Sequence, residues 1–207
     1  MLRIITIAAA LLFAPAAHAQ QSAIRYLFWE QVAPLTNALY CAADVATLRA
    51  GDNYSIEHVY PRSWMRQTLG CQGDACDANS DFIIWENDLQ NLMPADRAMN
   101  SARGDRAFGE LESTDDWREQ SCFRSRGMDI TGTIKAEGMV EPRNEDKGDI
   151  ARILLYVHDQ YGGLLPDGQQ EVARRWSAAD PSSAEECARQ DVIERLQGTR
   201  NLHVVCD

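Results

Sequence analysis

The stretch Ser55-Ile56-Glu57-His58-Val59-Tyr60-Pro61-Arg62-Ser63-Trp64 decides how this chain is read, together with Asp88-Leu89-Gln90-Asn91-Leu92-Met93-Pro94 and then Asn100. A carboxylate and an imidazole stand side by side, and two carboxamides follow with arginines nearby. Carboxylate and carboxamide oxygens are hard ligands that suit Mg²⁺ better than zinc. An imidazole with an intrinsic pKa of about 6.5 is suited to accepting a proton at neutral pH. In an extended strand Glu57 and His58 face opposite ways, so both serve one site only if the strand bends or ends there. A Glu-His dipeptide alone is a weak signal, and the downstream Asn91 and Asn100 are what strengthen it.

Residues 1–19 carry one cation, Arg3, an apolar run from Ile4 to Phe13, then Pro15 and the small-residue ending Ala17-His18-Ala19. This is the pattern of a secretory signal peptide cut before Gln20. The apolar run is too short for a bilayer span, which needs about 20 residues, and no later segment is apolar for long enough to anchor the chain. A periplasmic or secreted protein with no membrane association is expected. Residues 20–207 are long enough to bury a core as one domain, and they show no linker or repeat.

Export gives meaning to the six cysteines, Cys41, Cys71, Cys76, Cys122, Cys187 and Cys206. An even count in an oxidising compartment implies three disulfides. Six cysteines allow about 15 pairings, and the sequence does not choose among them. Cys71 and Cys76, flanking Gly73-Asp74, suggest one small loop. A zinc site is the competing reading, disfavoured because paired Cys-x-x-Cys knuckles are missing. Once His18 leaves with the leader, only His58, His158 and His203 remain, and the last two read as ordinary surface or half-buried positions.

The formal net charge of −11 becomes −12 when Arg3 is removed with the leader, since residues 1–19 hold no acid. Such a chain lacks the global positive field that draws in nucleic acid. Any such binding rests on local cations: Arg97, Arg103 and Arg106, then Arg118, Arg124, Arg126 and Lys135. The alternative is that these are an ordinary solvated face.

Helices are expected at both ends. Ile153, Leu154, Val157 and Tyr161 form one helical face within 151–161, closed by Gly162-Gly163. Asp167 offers an N-cap for a helix reaching Ala178, and Asp180-Pro181 opens another through Gln197. Residues 23–48 are apolar at helical intervals, with a break at Pro34. The middle reads as irregular chain with short strands at Ile56–Tyr60 and Phe82–Trp85. The class is α+β: a mainly helical, disulfide-stabilised single domain in which a small hairpin carries the chemistry.

The combination Ile56-Glu57-His58-Val59-Tyr60-Pro61-x-Ser63-Trp64, Asp88-Leu89-x-Asn91-Leu92-x-Pro94-Ala95-Asp96, Asn100 and Gly104-x-Arg106 resembles the bacterial endonuclease I family of secreted and periplasmic nucleases. That family lies within the His-Me finger (ββα-metal) superfamily. Weaker similarity continues through Lys147-Gly148-Asp149-Ile150-Ala151-Arg152, Tyr156, Tyr161 and Gln197-Gly198-x-Arg200-Asn201. The resemblance implies a Mg²⁺-dependent endonuclease, with Mn²⁺ or Ca²⁺ as substitutes, that leaves 5′-phosphate and 3′-hydroxyl ends. His58 would be the general base, Glu57 and Asn100 the metal ligands, and Asn91 the residue that orients the imidazole or its loop. Glu86 matches an acidic position near the metal.

Family members carry a transition-state arginine between the Glu-His and Asp-Leu-x-Asn elements. Here that interval offers Arg62 and Arg66, with none between Cys71 and Asp88. The sequence also departs from the family over Ala98 to Gly104, and Arg66, Arg97, Arg103 and Arg106 all remain candidates for phosphate contact. Nothing resembles a recognition helix, so DNA is expected to be cut with little sequence preference, RNA being a second substrate and a monomer the acting form. The rival class is a non-catalytic, disulfide-stapled exported binding protein in which Glu57-His58 is incidental. A small-molecule phosphodiesterase is a further rival, disfavoured because a two-metal set of histidines and aspartates is missing.

Overall fold

The computed structural model describes residues 14–40, 53–110, 123–125 and 139–206. Helix α1 (Ala14–Leu27) contains the expected leader boundary between Ala19 and Gln20 and passes into a π-type turn, Phe28–Val32. A 3₁₀ turn, Ala33–Leu35, follows with Pro34 in it, and Thr36 is already extended. Helical chain therefore ends near Pro34, the expected break, because proline removes a backbone donor. The remainder of the helix expected up to Leu48 is replaced as far as Tyr40 by irregular chain with an isolated bridge at Leu39, and residues 41–52 lie outside the described residues.

Strand β1 (Tyr54–His58) pairs antiparallel with β2 (Leu92–Asp96), setting Glu57 opposite Met93 and His58 opposite Leu92. The chain between them is more ordered than expected. It forms α2 (Arg62–Leu69), the single turn α3 (Asp74–Asp77), α4 (Ser80–Glu86) and a 3₁₀ turn, Leu89–Asn91. Pro61 precedes α2, and Gly70 ends it at φ 63°, a conformation that favours glycine. β2 runs directly into α5 (Arg97–Arg103), where the Asp96 side chain accepts from the Met99 amide as N-cap.

The strand expected at Phe82–Trp85 is α4. The run favours β structure locally, but Asn79 caps a helix by accepting from the Asp81 and Phe82 amides. Helical geometry then puts Phe82 and Trp85, three apart, on one buried face. Arg62 and Arg66, four apart on α2, lie with their guanidinium carbons 5.5 and 5.3 Å from the Phe82 ring centroid.

A second small sheet pairs β3 (Phe123–Ser125) with β4 (Val140–Pro142). Helix α6 (Asn144–Tyr161) ends at Gly162 as expected and packs against α7 (Gln169–Ala179). Its Ile150, Ala151, Leu154 and Val157 meet Val59, Tyr60, Met65 and Phe82 in the main core. Gly148 belongs to the Lys-Gly-Asp-Ile-Ala-Arg motif, and a Cβ there would lie 2.5 Å from Asp180 Oδ2. Its absence lets Asp180 reach the Gly148 amide at 3.2 Å.

That contact also explains why α8 (Ala184–Gln197) starts later than Asp180-Pro181 implied. Asp180 is held against α6, and Ser183 with Glu186 forms a capping box instead. Glu186 simultaneously grips the buried Arg152 of α6 at 2.6 and 2.5 Å. A smaller core of Phe28, Val32, Leu89, Leu92 and Ile193 ties α8 to the π-type turn and to the start of β2.

Two disulfides join described residues, Cys71–Cys76 and Cys187–Cys206. Cys41 and Cys122 lie outside the described residues, as does most of the basic run Arg118, Arg124, Arg126 and Lys135. Cys187–Cys206 bridges a separation of 19 residues and pins the C-terminal tail to α8. Loop-closure entropy puts its contribution at about 3 kcal/mol. Replacing both cysteines with alanine should lower the unfolding free energy by about that amount in urea titrations. An unchanged midpoint would show that the tail is held by its other contacts, such as Gln190 Nε2 to the Val204 carbonyl at 3.2 Å.

Candidate active site

His58 ends β1, and its Nε2 lies 2.8 Å from the backbone carbonyl oxygen of Glu86. A carbonyl only accepts, so Nε2 carries the hydrogen, and in the neutral ring Nδ1 is the bare nitrogen. Burial pushes the imidazole pKa down to about 4, and Arg62, Arg25 and Arg103 push the same way against the Glu86 hydrogen bond. The ring is therefore neutral at neutral pH. A cleft of about 260 Å³ is lined by Glu57, His58, Arg62, Ser63, Asn100 and Asp105, among others. Because β1 stops at His58, the cleft wraps the strand end, and two neighbours that would face opposite ways both line it.

Glu57 is nearly enclosed at 3 % exposure, and one oxygen, Oε1, receives both Tyr40 Oη at 2.5 Å and Arg103 Nη1 at 2.8 Å. Burial raises its pKa while Arg103 and Tyr40 oppose the rise. Asn100 spends its amide nitrogen on Ser55 Oγ at 3.0 Å and on the Ile56 carbonyl at 3.1 Å. Glu57 Oε2 and Asn100 Oδ1 have no hydrogen-bond partner among the described residues. Two hard oxygens at one cleft fit a divalent cation that keeps most of its waters. Among the described residues no group of three or more His, Cys, Asp and Glu side chains is placed to hold a metal.

The Asp88-Leu89-Gln90-Asn91-Leu92 stretch acts beneath this cleft. Asn91 is fully buried, accepts from the Tyr60 amide at 2.8 Å and donates to the Tyr60 carbonyl at 3.0 Å. It thus clamps the turn that follows His58, and among the described residues it forms no hydrogen bond with the ring. Asp88 Oδ2 accepts Tyr156 Oη at 2.8 Å and Tyr161 Oη at 2.7 Å, and Oδ1 accepts Gln197 Nε2 and the Gln90 amide. Buried Arg189 donates to the carbonyls of Leu89, Gln90 and Leu92 at 2.9 to 3.1 Å. The scattered motif residues Tyr156, Tyr161 and Gln197 therefore meet at one carboxylate.

The arginines separate by position. Arg62 stands on the cleft rim, paired with Glu86 Oε1 at 2.8 Å. The Glu86 carboxylate, also held by Gln21 at 3.1 Å, is not among the groups lining the cleft; its backbone oxygen is what meets His58. Arg103 is buried at 0 % exposure with its donors on Glu57 and on the carbonyls of His58, Val59 and Arg106. Arg106 binds the carbonyls of Ala102 and Arg103 at the end of α5, and Arg97 binds the Tyr54 carbonyl at the far end of the hairpin. Arg66 lines a neighbouring cleft.

Sequence reading missed Tyr40, Ser55 and Arg25. Tyr40 and Ser55 act through single contacts with no local pattern, and Arg25 acts on His58 only through the packing of α1.

The chain belongs to the endonuclease I family, whose sequence profile matches residues 31–205. A periplasmic deoxyribonuclease of Aeromonas hydrophila is 28 % identical over 149 residues, covering 70 % of this chain and 60 % of its own length. Endonuclease-1 of Buchnera aphidicola subsp. Acyrthosiphon pisum is 25 % identical over 184 residues, covering 86 % and 70 %. An extracellular ribonuclease of Bacillus amyloliquefaciens is 30 % identical over 132 residues, covering 55 % and 42 %. The chain thus spans about six tenths of the length of the Aeromonas protein. The periplasmic and extracellular relatives support a periplasmic or secreted location, and no helix among the described residues is long and apolar enough to cross a membrane.

Proposed function

We propose that this chain is an exported, Mg²⁺-dependent endonuclease that hydrolyses phosphodiester bonds of DNA, and secondarily RNA, to 5′-phosphate and 3′-hydroxyl ends. The observation that carries the reading is the imidazole of His58, tied by Nε2 to a carbonyl so that Nδ1 is a free base, in a cleft shared with Glu57 and Asn100. β1, β2 and α5 then form the ββα-metal element of a His-Me finger. The deoxyribonuclease relatives support DNA as substrate, and the ribonuclease relative is why RNA is retained.

In this reading His58 Nδ1 takes a proton from the attacking water, and the Glu86 carbonyl stabilises the charge that develops on the ring. Glu57 and Asn100 hold the cation, with Mn²⁺ or Ca²⁺ able to replace Mg²⁺. When bound, it supplies positive charge to the phosphate and the leaving 3′ oxygen. Arg62 presents a guanidinium at the rim, steadied by Glu86, and neutralises phosphate charge there. Contacts to phosphates carry little sequence information, so cutting is largely nonspecific. The acting form is a monomer, and residues 1–19 are removed on export.

Supercoiled plasmid incubated with the oxidised mature protein should be nicked in Mg²⁺ and left intact in EDTA. Asn100→Ala should raise the Mg²⁺ concentration for half-maximal rate by at least about tenfold, the scale of losses at metal sites. Intact plasmid after incubation with well-folded protein and Mg²⁺ would overturn the proposal.

A further inference from the structure

Helix α2 also lines a second cleft, of about 510 Å³, bordered by Ser63, Arg66, Gln67, Gly70, Cys71 and Gln72, among others. Ser63, Arg66, Gln67 and Gly70 recur at helical spacing, so they form one stripe along α2 about 10 Å long. Ser63 also lines the cleft that holds His58, so the two clefts adjoin at this residue. None of the lining residues of the second cleft is acidic, in a chain with 31 acids and a net charge of −11.

Arg66 is the cation of this cleft. It forms no ion pair among the described residues, in contrast to Arg62, whose guanidinium is held by Glu86 at 2.8 Å. Its guanidinium stacks over Phe82, and its Nε is buried without a hydrogen-bond partner. The Nε itself is covered, and with no hydrogen bond to the Arg66 side chain among the described residues its terminal nitrogens are the donors left for an acceptor oxygen. The opposite wall is the Cys71–Cys76 loop, whose disulfide fixes it in place. Backbone at Gly70 and Gly73 has positive φ, and neither glycine has a neighbour within 4 Å of where a Cβ would stand. The wall is therefore open backbone that a ligand can approach closely.

We propose that this second cleft is a phosphate subsite of the polynucleotide, binding the phosphate next along the strand from the one at His58 through Arg66, with Ser63 and Gln67 as hydrogen-bond donors. The assignment rests on the nuclease reading of the neighbouring cleft. It gives an acidic protein a local electrostatic hold on the strand at the place where it is needed. It also predicts that affinity depends on strand length, because a dinucleotide reaches only the first cleft.

The test uses oxidised protein carrying His58→Ala, in EDTA, with fluorescence anisotropy of labelled oligothymidylates: a dinucleotide and a longer strand of about eight nucleotides. The longer strand should bind more tightly than the dinucleotide. Adding Arg66→Gln should weaken the longer strand about tenfold, lower its salt slope by about one, and leave the dinucleotide unaffected. Gln67→Glu, which puts an acid into the cleft without touching the stacked arginine, should weaken the longer strand in the same way. Unchanged affinity of the longer strand in both variants would overturn the subsite while leaving the nuclease reading intact. Failure of the His58→Ala protein to bind either oligonucleotide would overturn the subsite, while nicking of plasmid by the wild-type protein in Mg²⁺ decides the nuclease reading separately.

Discussion

Replacing His58 with alanine is expected to lower the rate of plasmid nicking by about 10²–10⁴-fold, the range attributed to a positioned general base. The change removes the Nδ1 base and leaves the cleft oxygens of Glu57 and Asn100 in place, so Mg²⁺ affinity should be nearly unaltered. The ring's one hydrogen bond among the described residues is to the Glu86 carbonyl at the cleft, where water can replace it. Folding should therefore survive, which near-ultraviolet circular dichroism checks. A wild-type nicking rate in the folded variant would remove His58 from the mechanism. Loss of both activity and folding would instead assign it a structural part.

The second large effect is on stability. Arg103→Met should lower the unfolding free energy by about 3–5 kcal/mol, the usual result of breaking a buried pair from one side. The methionine fills much of the stem volume, but Glu57, at 3 % exposure, loses the cation 2.8 Å from its Oε1. The carbonyls of His58, Val59 and Arg106 lose donors at 3.1, 2.9 and 3.2 Å. Stacking on Phe108, 4.3 Å from the guanidinium carbon, is lost as well. Combining Arg103→Met with Glu57→Gln should recover part of the loss, because the charge left unpaired is then gone. Urea titrations of the single and double variants check this. A loss below about 1 kcal/mol, the ordinary worth of a surface pair, would show that the pair is solvated in solution.

This buried pair marks the limit of reading residue types along the chain. Arg103 sits between Arg97 and Arg106 in a polar stretch, and three arginines within ten residues look like a basic face. In the fold Arg103 is turned inward to Glu57, 46 positions earlier, while Arg106 and Arg97 bind nearby backbone. Arg152 and Arg189 are buried in the same manner, each against carboxylates or carbonyls from remote segments. The Phe82–Trp85 run was misread as a strand for a related reason. Four bulky apolar residues satisfy either period, and the Asn79 cap and the face offered by α2 decided for helix.

What the sequence determined by itself is the inventory and its order: Glu57-His58 on a short strand, expected at Ile56–Tyr60 and found at Tyr54–His58, Asn91 and Asn100 downstream, a helix closed by Gly162, and cysteines suited to an oxidising compartment. These were legible because each depends on neighbours within a few residues, through helical period, turn-forming glycine or adjacent side chains. The tertiary structure alone decided direction. It turned Asn100's amide nitrogen onto Ser55 and its oxygen free, chose the Nε2 hydrogen of His58 through the Glu86 carbonyl, and gathered Tyr156, Tyr161 and Gln197 at Asp88. Those contacts join residues 28 to 109 positions apart, where no local periodicity operates and only the packing of whole elements fixes which atoms meet.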